Sequence, residues 1–383
     1  MKKISILEPT LFKNEKKYLN DCLRFNEIST YGRFIEKFEN KIKYISNSKY
    51  CVAAASGSAG LLLALKAIKV KNDDLIITPS YTFAATVNSI IHASAKPILF
   101  DINKNDMCID LKKVDEYLKK KTYKKGNYYY DKKTKQRIYC ILPVTTFSIV
   151  PNMHKIKEIG KKYNLKIVMD AASALGSKYN NKSLSSYSDL VVYSFNGNKS
   201  YTSGGGGAVV TNSSKFANYI RLLSTNAKSK IKPYTYSEAG YNFKITNLHA
   251  ALGLGQLENF KKINSKKIKI QRTYEKNIKN KNVHFPPKPN WSNHILWINF
   301  LIIDNLKIFG LIKKKLIKSN YNLINFWKPI HLQKNFLFLK GSNFFYTERI
   351  WNKLAVLPSS INLNYKDQKK IISAINKNSK HEI

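Results

Sequence analysis

Residues 138–170, IYCILPVTTFSIVPNMHKIKEIGKKYNLKIVMD, decide the fold. Residues 138–144 are too uniformly apolar to have a wet face and read as a strand buried on both sides. Residues 153–163 read as a helix, and the apolar run 166–169 reads as a second strand that stops at Asp170. Strand, helix and strand at this spacing form the repeating unit of a mostly parallel sheet covered by helices.

The same alternation extends outward from residue 50 to about residue 212. Residues 75–78, 97–100, 190–194 and 208–211 read as further strands, and 59–70, 86–94 and 111–120 as helices. Residues 119–137, with Lys-rich ends and the run Tyr128, Tyr129 and Tyr130, read as an inserted, solvated surface hairpin. After Tyr241 the pattern predicts one long helix over residues 245–280, with Leu248, Ala251, Leu252, Leu254, Leu257 and Phe260 near helical spacing. Beyond it lie a strand at 295–303, a helix at 306–318 and a final helix at 368–376. The expected organisation is α/β: a large domain over residues 1–250, then the long helix and a smaller C-terminal α+β domain over 251–383.

A chain of 383 residues with 43% hydrophobic and 12% aromatic content can bury a substantial core. Its 66 Lys and Arg against 24 Asp and Glu give a net charge of +42. The basic residues are mostly Lys, spread over nearly every surface-like segment, in a chain also rich in Asn, Ile and Tyr. That distribution fits compositional drift better than a nucleic-acid interface, and leaves the weaker inference that an anionic substrate is attracted. The first residues hold several lysines and no apolar run of signal-peptide length, and no stretch approaches a membrane span. A soluble, cytoplasmic protein with no membrane partner is expected. Cys22, Cys51, Cys108 and Cys140 are isolated and the histidines unclustered, so reduced thiols and no metal are expected.

Three segments carry chemistry. Ser56, Gly57 and Ser58 open an apolar helix, where free N–H groups and the helix dipole can hold an anion, although Ser there also serves as an ordinary helix cap. Asp170 ends a strand at the carboxyl edge of a parallel sheet, where such folds bind ligands. A carboxylate there can keep a ring nitrogen protonated, as pyridoxal phosphate requires, or simply cap a helix. In YSFNGNKSYTSGGGG, residues 193–207, Lys199 follows a strand end among small polar residues, where an amine can condense with an aldehyde and Ser194 can bind phosphate. The glycines Gly204 to Gly207 allow a sharp turn but lack the ending of a P-loop.

Six motifs in order, SGSAGLLLAL, TPSYTFAATVNSI, ILPVTTFS, DAASALG, SFNGNKSYTSGGGG and GYNFKITNLHAALGLGQL, resemble the sugar aminotransferases of the DegT/DnrJ/StrS group. These are fold-type I enzymes dependent on pyridoxal phosphate (PLP), and the resemblance implies a seven-stranded, mostly parallel sheet. It also implies that Lys199 is the Schiff-base lysine and proton shuttle and that Asp170 partners the pyridine nitrogen. Phe83 would stack on one face of the cofactor ring, with Ala172 against the other and Ser173 near the phenolic oxygen. Gly57, Ser58 and Ser194 would take the phosphate, completed by Asn242 of a neighbouring subunit, which implies a homodimer with shared active sites.

The chain departs from the group's pattern at Met169, where many members have Glu, at Lys244, where Arg is usual, and at Thr145 and Ser148, where His and Gly are common. Lys199 disfavours the deoxygenating relatives that carry His there. SFNGNK, the insertion, the WKPIH segment and LPSS look most like the legionaminic-acid and bacillosamine branch. That likeness implies amination at C4 of UDP-4-keto-6-deoxy-N-acetylglucosamine with glutamate as donor, and His331 as a substrate contact. The alternatives are another keto-sugar (C3 amination, a GDP-linked substrate or a keto-octulosonate) or a basic binding protein without catalysis.

Overall fold

The computed structural model describes residues 4–229, 231–232, 234–321, 323–339 and 343–377. Its main sheet has seven strands on one path: β1 (Tyr50–Ala54), β2 (Leu75–Pro79), β3 (Lys96–Phe100), β4 (Arg137–Ile141), β5 (Lys166–Asp170), β6 (Leu190–Ser194) and β7 (Gly207–Thr211). They lie in the order β1-β7-β6-β5-β4-β2-β3, and every neighbouring pair is parallel except the two made by β7. Along β1 and β6 alternate side chains enter two different cores. Cys51, Ala53, Val191 and Tyr193 face one, and Val52, Ala54, Leu190 and Val192 the other. Burial on both faces is why these strands read as continuous apolar runs rather than alternating ones.

Two findings go beyond the strands read from the sequence pattern. Residues Tyr50–Ala54 form β1, which pattern reading passes over because YCVAA is short, weakly β-branched and runs straight into the next helix. The insertion is a hairpin of Thr122–Lys125 and Tyr128–Asp131, but it is not simply solvated. It joins β4 at Tyr129↔Ile138 and Tyr130↔Arg137, and raises the sheet from the expected seven strands to nine. The Tyr129 ring meets Tyr163 edge-on at 5.0 Å, and the Tyr117 hydroxyl donates to Asp131 at 2.7 Å. Arg137 makes a two-pronged ion pair with Asp74 at 2.8 and 2.6 Å, fixing where β4 begins beside β2.

The expected long helix is two, Asn247–Glu258 and Phe260–Asn277, broken at Asn259. There the Asn259 amide donates to the Gly255 carbonyl, and Phe260, the first residue of the second helix, stacks on Tyr201 at 4.8 Å. The helix Lys13–Arg24 packs so closely on the first of these that a Cβ at Gly255 would lie 2.8 Å from Glu15. Beyond residue 277, a small antiparallel sheet of Val283–His284, Asn299–Ile303 and Leu354–Leu357 is covered by Leu306–Lys318 and Tyr365–Asn376 around a separate core. Ile4 and Ile6, from the start of the chain, pack against that core too. The strand expected from residue 295 begins at Asn299; the Ile295 N–H instead bonds the Ser177 hydroxyl, next to a small separate sheet in which Ser292–Asn293 pairs with Lys178–Tyr179. All four cysteines are unpaired and fully buried.

Candidate active site

The parallel strands deliver their ends to one edge. β5 ends in Asp170, which is 5% exposed and held by two donors. The Thr86 hydroxyl reaches Oδ2 at 2.7 Å and the Ala172 N–H reaches Oδ1 at 3.1 Å. Thr86 is itself bonded to the Thr82 hydroxyl at 2.7 Å; because Thr86 gives its proton to Asp170, Thr82 donates to Thr86. Burial pushes the Asp170 carboxyl upward, while these two hydrogen bonds and the charge of Lys199 pull it back.

Lys199 follows β6 in a turn closed by its own N–H on the Asn196 carbonyl at 2.9 Å. Its half-buried side chain carries an amine 4.4 Å from the centre of the Trp297 ring, without a hydrogen-bond partner among the described residues. Trp297 is fixed in turn by its indole N–H on the Asn198 carbonyl at 2.8 Å, one residue from Lys199. Loss of water lowers Lys199 to about 8 from the ordinary lysine value, with Asp170 opposing the shift. A buried lysine, Lys267, donates to the Trp297 carbonyl at 2.8 Å and the Ser359 carbonyl at 3.2 Å, and burial brings it down to about 7.

Beside them, Ser56 caps the helix Gly57–Ala67, its side chain accepting from the Ala59 N–H. Gly57 is buried against Ser194, so closely that a Cβ there would lie 2.8 Å from the Ser194 Cβ. Ser58 is exposed in the first turn of that helix. Ser56 pairs with Gly206, whose φ of +113° favours glycine, and a side chain at Gly207 would run into the Ser56 carbonyl. Asn242 is exposed and pairs with Thr225; the next residue, Phe243, accepts from the Ala55 N–H at 2.7 Å.

Phe83 precedes the helix Ala84–His92 that carries Thr86, and its ring is 59% exposed, next to the fully buried Tyr81. Ala172 is half-buried, and its carbonyl accepts from the Ser194 N–H at 3.1 Å. The Ser173 carbonyl accepts from the Ser148 hydroxyl at 2.8 Å, so one departure from the group's pattern supports the backbone at Ser173. His331 lies apart from these groups and is 2% exposed. Its Nδ1 sits 2.6 Å from the Ser80 hydroxyl and its Nε2 3.1 Å from Glu348, while its ring stacks on Phe344 at 3.9 Å. Both ring nitrogens are thus engaged within the chain, which ties His331 to Ser80 and Glu348. Sequence reading did not single out Thr82, Thr86, Trp297 or Lys267, since each owes its place to a partner distant in the chain.

A parallel sheet with one reversed strand, and a desolvated lysine beside a buried carboxylate at its carboxyl edge, is the architecture of fold-type I PLP enzymes. A model of the DegT/DnrJ/EryC1/StrS aminotransferase family matches residues 9–376, and the chain belongs to that family. The GDP-perosamine synthase of Escherichia coli O157:H7 is 33% identical over 278 residues, 73% of this chain and 72% of that protein. The UDP-4-amino-4,6-dideoxy-N-acetyl-beta-L-altrosamine transaminase of Campylobacter jejuni is 34% identical over 263 residues, 68% of this chain and 65% of that protein. A Helicobacter pylori aminotransferase involved in the biosynthesis of pseudoaminic acid has the same fold, with a TM-score of 0.87 at 23% identity over 98% of this chain and 99% of its own. The protein is therefore a PLP-dependent sugar aminotransferase. The residues present fit the cofactor: an unpartnered amine, a held carboxylate, and small residues at a helix mouth where a phosphate can approach backbone. Among the described residues no helix is long and apolar enough to cross a membrane, and no cluster of His, Cys, Asp or Glu could hold a metal ion.

Proposed function

We propose that this enzyme transfers an amino group from glutamate to C4 of UDP-4-keto-6-deoxy-N-acetylglucosamine, on the legionaminic-acid and bacillosamine branch of the family. The observation that carries the catalytic assignment is the Lys199 amine, desolvated and unpartnered, within the field of the buried Asp170. Bound PLP supplies the electron sink and carries the amino group between donor and acceptor. An amine lowered to about 8 has an appreciable neutral fraction near neutral pH, so Lys199 can hold the cofactor's aldehyde carbon and, once released, move a proton at the substrate carbon. Asp170, fixed by Thr86 and Ala172, keeps the pyridine nitrogen protonated. Gly57, Ser58 and Ser194 take the phosphate at the helix N-terminus, and Asn242 of a second subunit completes it, which makes the working unit a homodimer with shared sites. Phe83 and Ala172 bracket the ring, and Ser173 lies near its phenolic oxygen.

The relatives named GDP-perosamine synthases favour a second reading, a GDP-linked keto-sugar at the same site. The deciding experiment is the near-visible spectrum of the purified protein with PLP, before and after glutamate, for wild type and Lys199→Ala. A band of lysine-bound cofactor that fades with glutamate in wild type, and is altered in the variant, is the expected result; no band and no response to any donor refutes the assignment. Product analysis with UDP- and GDP-linked 4-keto sugars then separates the two substrates.

A further inference from the structure

Resting on the nucleotide-sugar reading above, we infer that Trp327 is the substrate-contacting residue of the WKPIH segment, and that its indole reads the methyl-bearing edge of a 6-deoxy keto-sugar. Trp327 has a backbone φ of +40°, and Phe147 and Ser148 have +53° and +72°. Left-handed backbone is unfavourable for bulky side chains, and persists where the surroundings enforce it. Here two such turns, from distant parts of the chain, meet ring on ring: Phe147 and Trp327 stack at 5.2 Å with 11° between their planes.

The place where they meet adjoins the chemistry. The half-buried indole of Trp327 lies 6.2 Å from the exposed ring of Phe83 and 6.2 Å from Trp297, whose ring holds the Lys199 amine at 4.4 Å. The Lys199 amine and the Trp327 indole therefore share one neighbour, the Trp297 ring. His331 belongs to the clasp that sets this position. The Tyr81 hydroxyl donates to the Phe326 carbonyl at 2.8 Å, the Ile330 N–H to the Ser80 carbonyl at 3.0 Å, and His331 sits on the Ser80 hydroxyl. Trp327 is thus tied down on both sides to the stretch that carries Phe83.

The wall so formed, Tyr81, Phe147, Trp297, Phe326 and Trp327, is aromatic carbon with almost no polar capacity. The Tyr81 hydroxyl is buried and bonded, and the Trp297 N–H is bonded, so the Trp327 N–H is its one spare donor among the described residues and there is no spare acceptor. Aromatic faces accept the C–H groups and methyl of a deoxygenated sugar, whereas a 6-hydroxyl would be desolvated with nothing to take its proton.

The test measures binding to the PLP-loaded enzyme of two pairs of nucleotide sugars, each differing only at C6: UDP-N-acetylglucosamine against its 6-deoxy counterpart, and GDP-mannose against GDP-rhamnose of the same configuration. For at least one pair the 6-deoxy form should bind ~10–100-fold tighter, the range an apolar pocket reaches against an added hydroxyl. Trp327→Ala should bring that ratio close to one, and Trp327→Phe should retain most of it. Should the Ala variant fail to fold, saturation transfer from aromatic protons of the wild type to the bound ligand must favour the C6 methyl over the anomeric proton. An unchanged ratio in Trp327→Ala, a wild-type ratio near one, or no preferential saturation of the methyl overturns the role of Trp327. Absence of binding by either pair instead overturns the nucleotide-sugar reading, and this inference with it.

Discussion

Thr86→Val removes a single hydroxyl and keeps the shape of the side chain. In the native protein that hydroxyl donates to Asp170 Oδ2 at 2.7 Å and is 0% exposed, so no solvent can take its place. The Ala172 N–H would be left as the one hydrogen-bond donor to a carboxylate that burial already pushes toward its neutral form. A hydrogen bond to a buried charged group is worth about 1.5–3 kcal/mol. Each 1.4 kcal/mol is a factor of ten, so PLP, whose ring nitrogen the charged Asp170 partners, should bind ~10–100-fold more weakly. Titration of the cofactor-free protein with PLP, followed by tryptophan fluorescence, measures this directly. Thr86→Ser should recover most of the affinity, since it restores the donor, while melting of the cofactor-free variants checks the fold. A Val variant that binds PLP and responds to glutamate as the wild type does would refute the positioning of Asp170 by Thr86.

Recombination of cofactor-free protein with PLP should quicken as pH rises through about 8, the value to which burial lowers Lys199, and be slow below 7, where the amine is protonated; a rate that climbs only near the ordinary lysine value would contradict this. Lys267 is brought to about 7 from 10.5, so between those values the unfolded chain binds the proton that the native state lacks, and this group adds stability as pH rises across that window. Lys267→Met removes that contribution, so the melting-temperature gap between wild type and variant should widen in favour of wild type from pH 7 to 9.5; a gap independent of pH would count against it.

The sequence carried the elements best where local chemistry and pattern agree. The helix Leu306–Lys318 falls where expected because Asn305 caps it, its side chain accepting from the Ile308 N–H, and Phe309, Ile312 and Leu316 share a buried face. Periodicity also ran through Asn259 without a pause, since the break there, beside the stack of Phe260 on Tyr201, has no local signature. The hairpin of residues 122–131 was visible as an insertion, but its pairing with β4 depends on a partner beyond the turn. In the site, Lys199, Asp170 and the Ser56–Ser58 turn stand out because each follows a strand or opens a helix. Thr86 and Trp297 could not, as a Thr in a helix and a Trp in an apolar run are ordinary until the fold sets them beside Asp170 and Lys199. His331 was noticed, yet its surroundings come from Ser80, Glu348 and Phe344, partners that no local pattern gives.

The reversed strand β7 also bears on how the chain is made. β1 has one neighbour in the sheet, and that neighbour is β7, in a register running from Tyr50↔Thr211 to Ala54↔Gly207. During synthesis the ribosome releases β1 early and must then deliver everything up to Thr211 before β1 can be zipped in, so the seven other strands of the sheet emerge while its edge stays open. The helix mouth at Ser56–Ser58, which β1 positions, is therefore among the last parts of the main sheet to be set, and nascent chains stalled before Thr211 have no means of completing it.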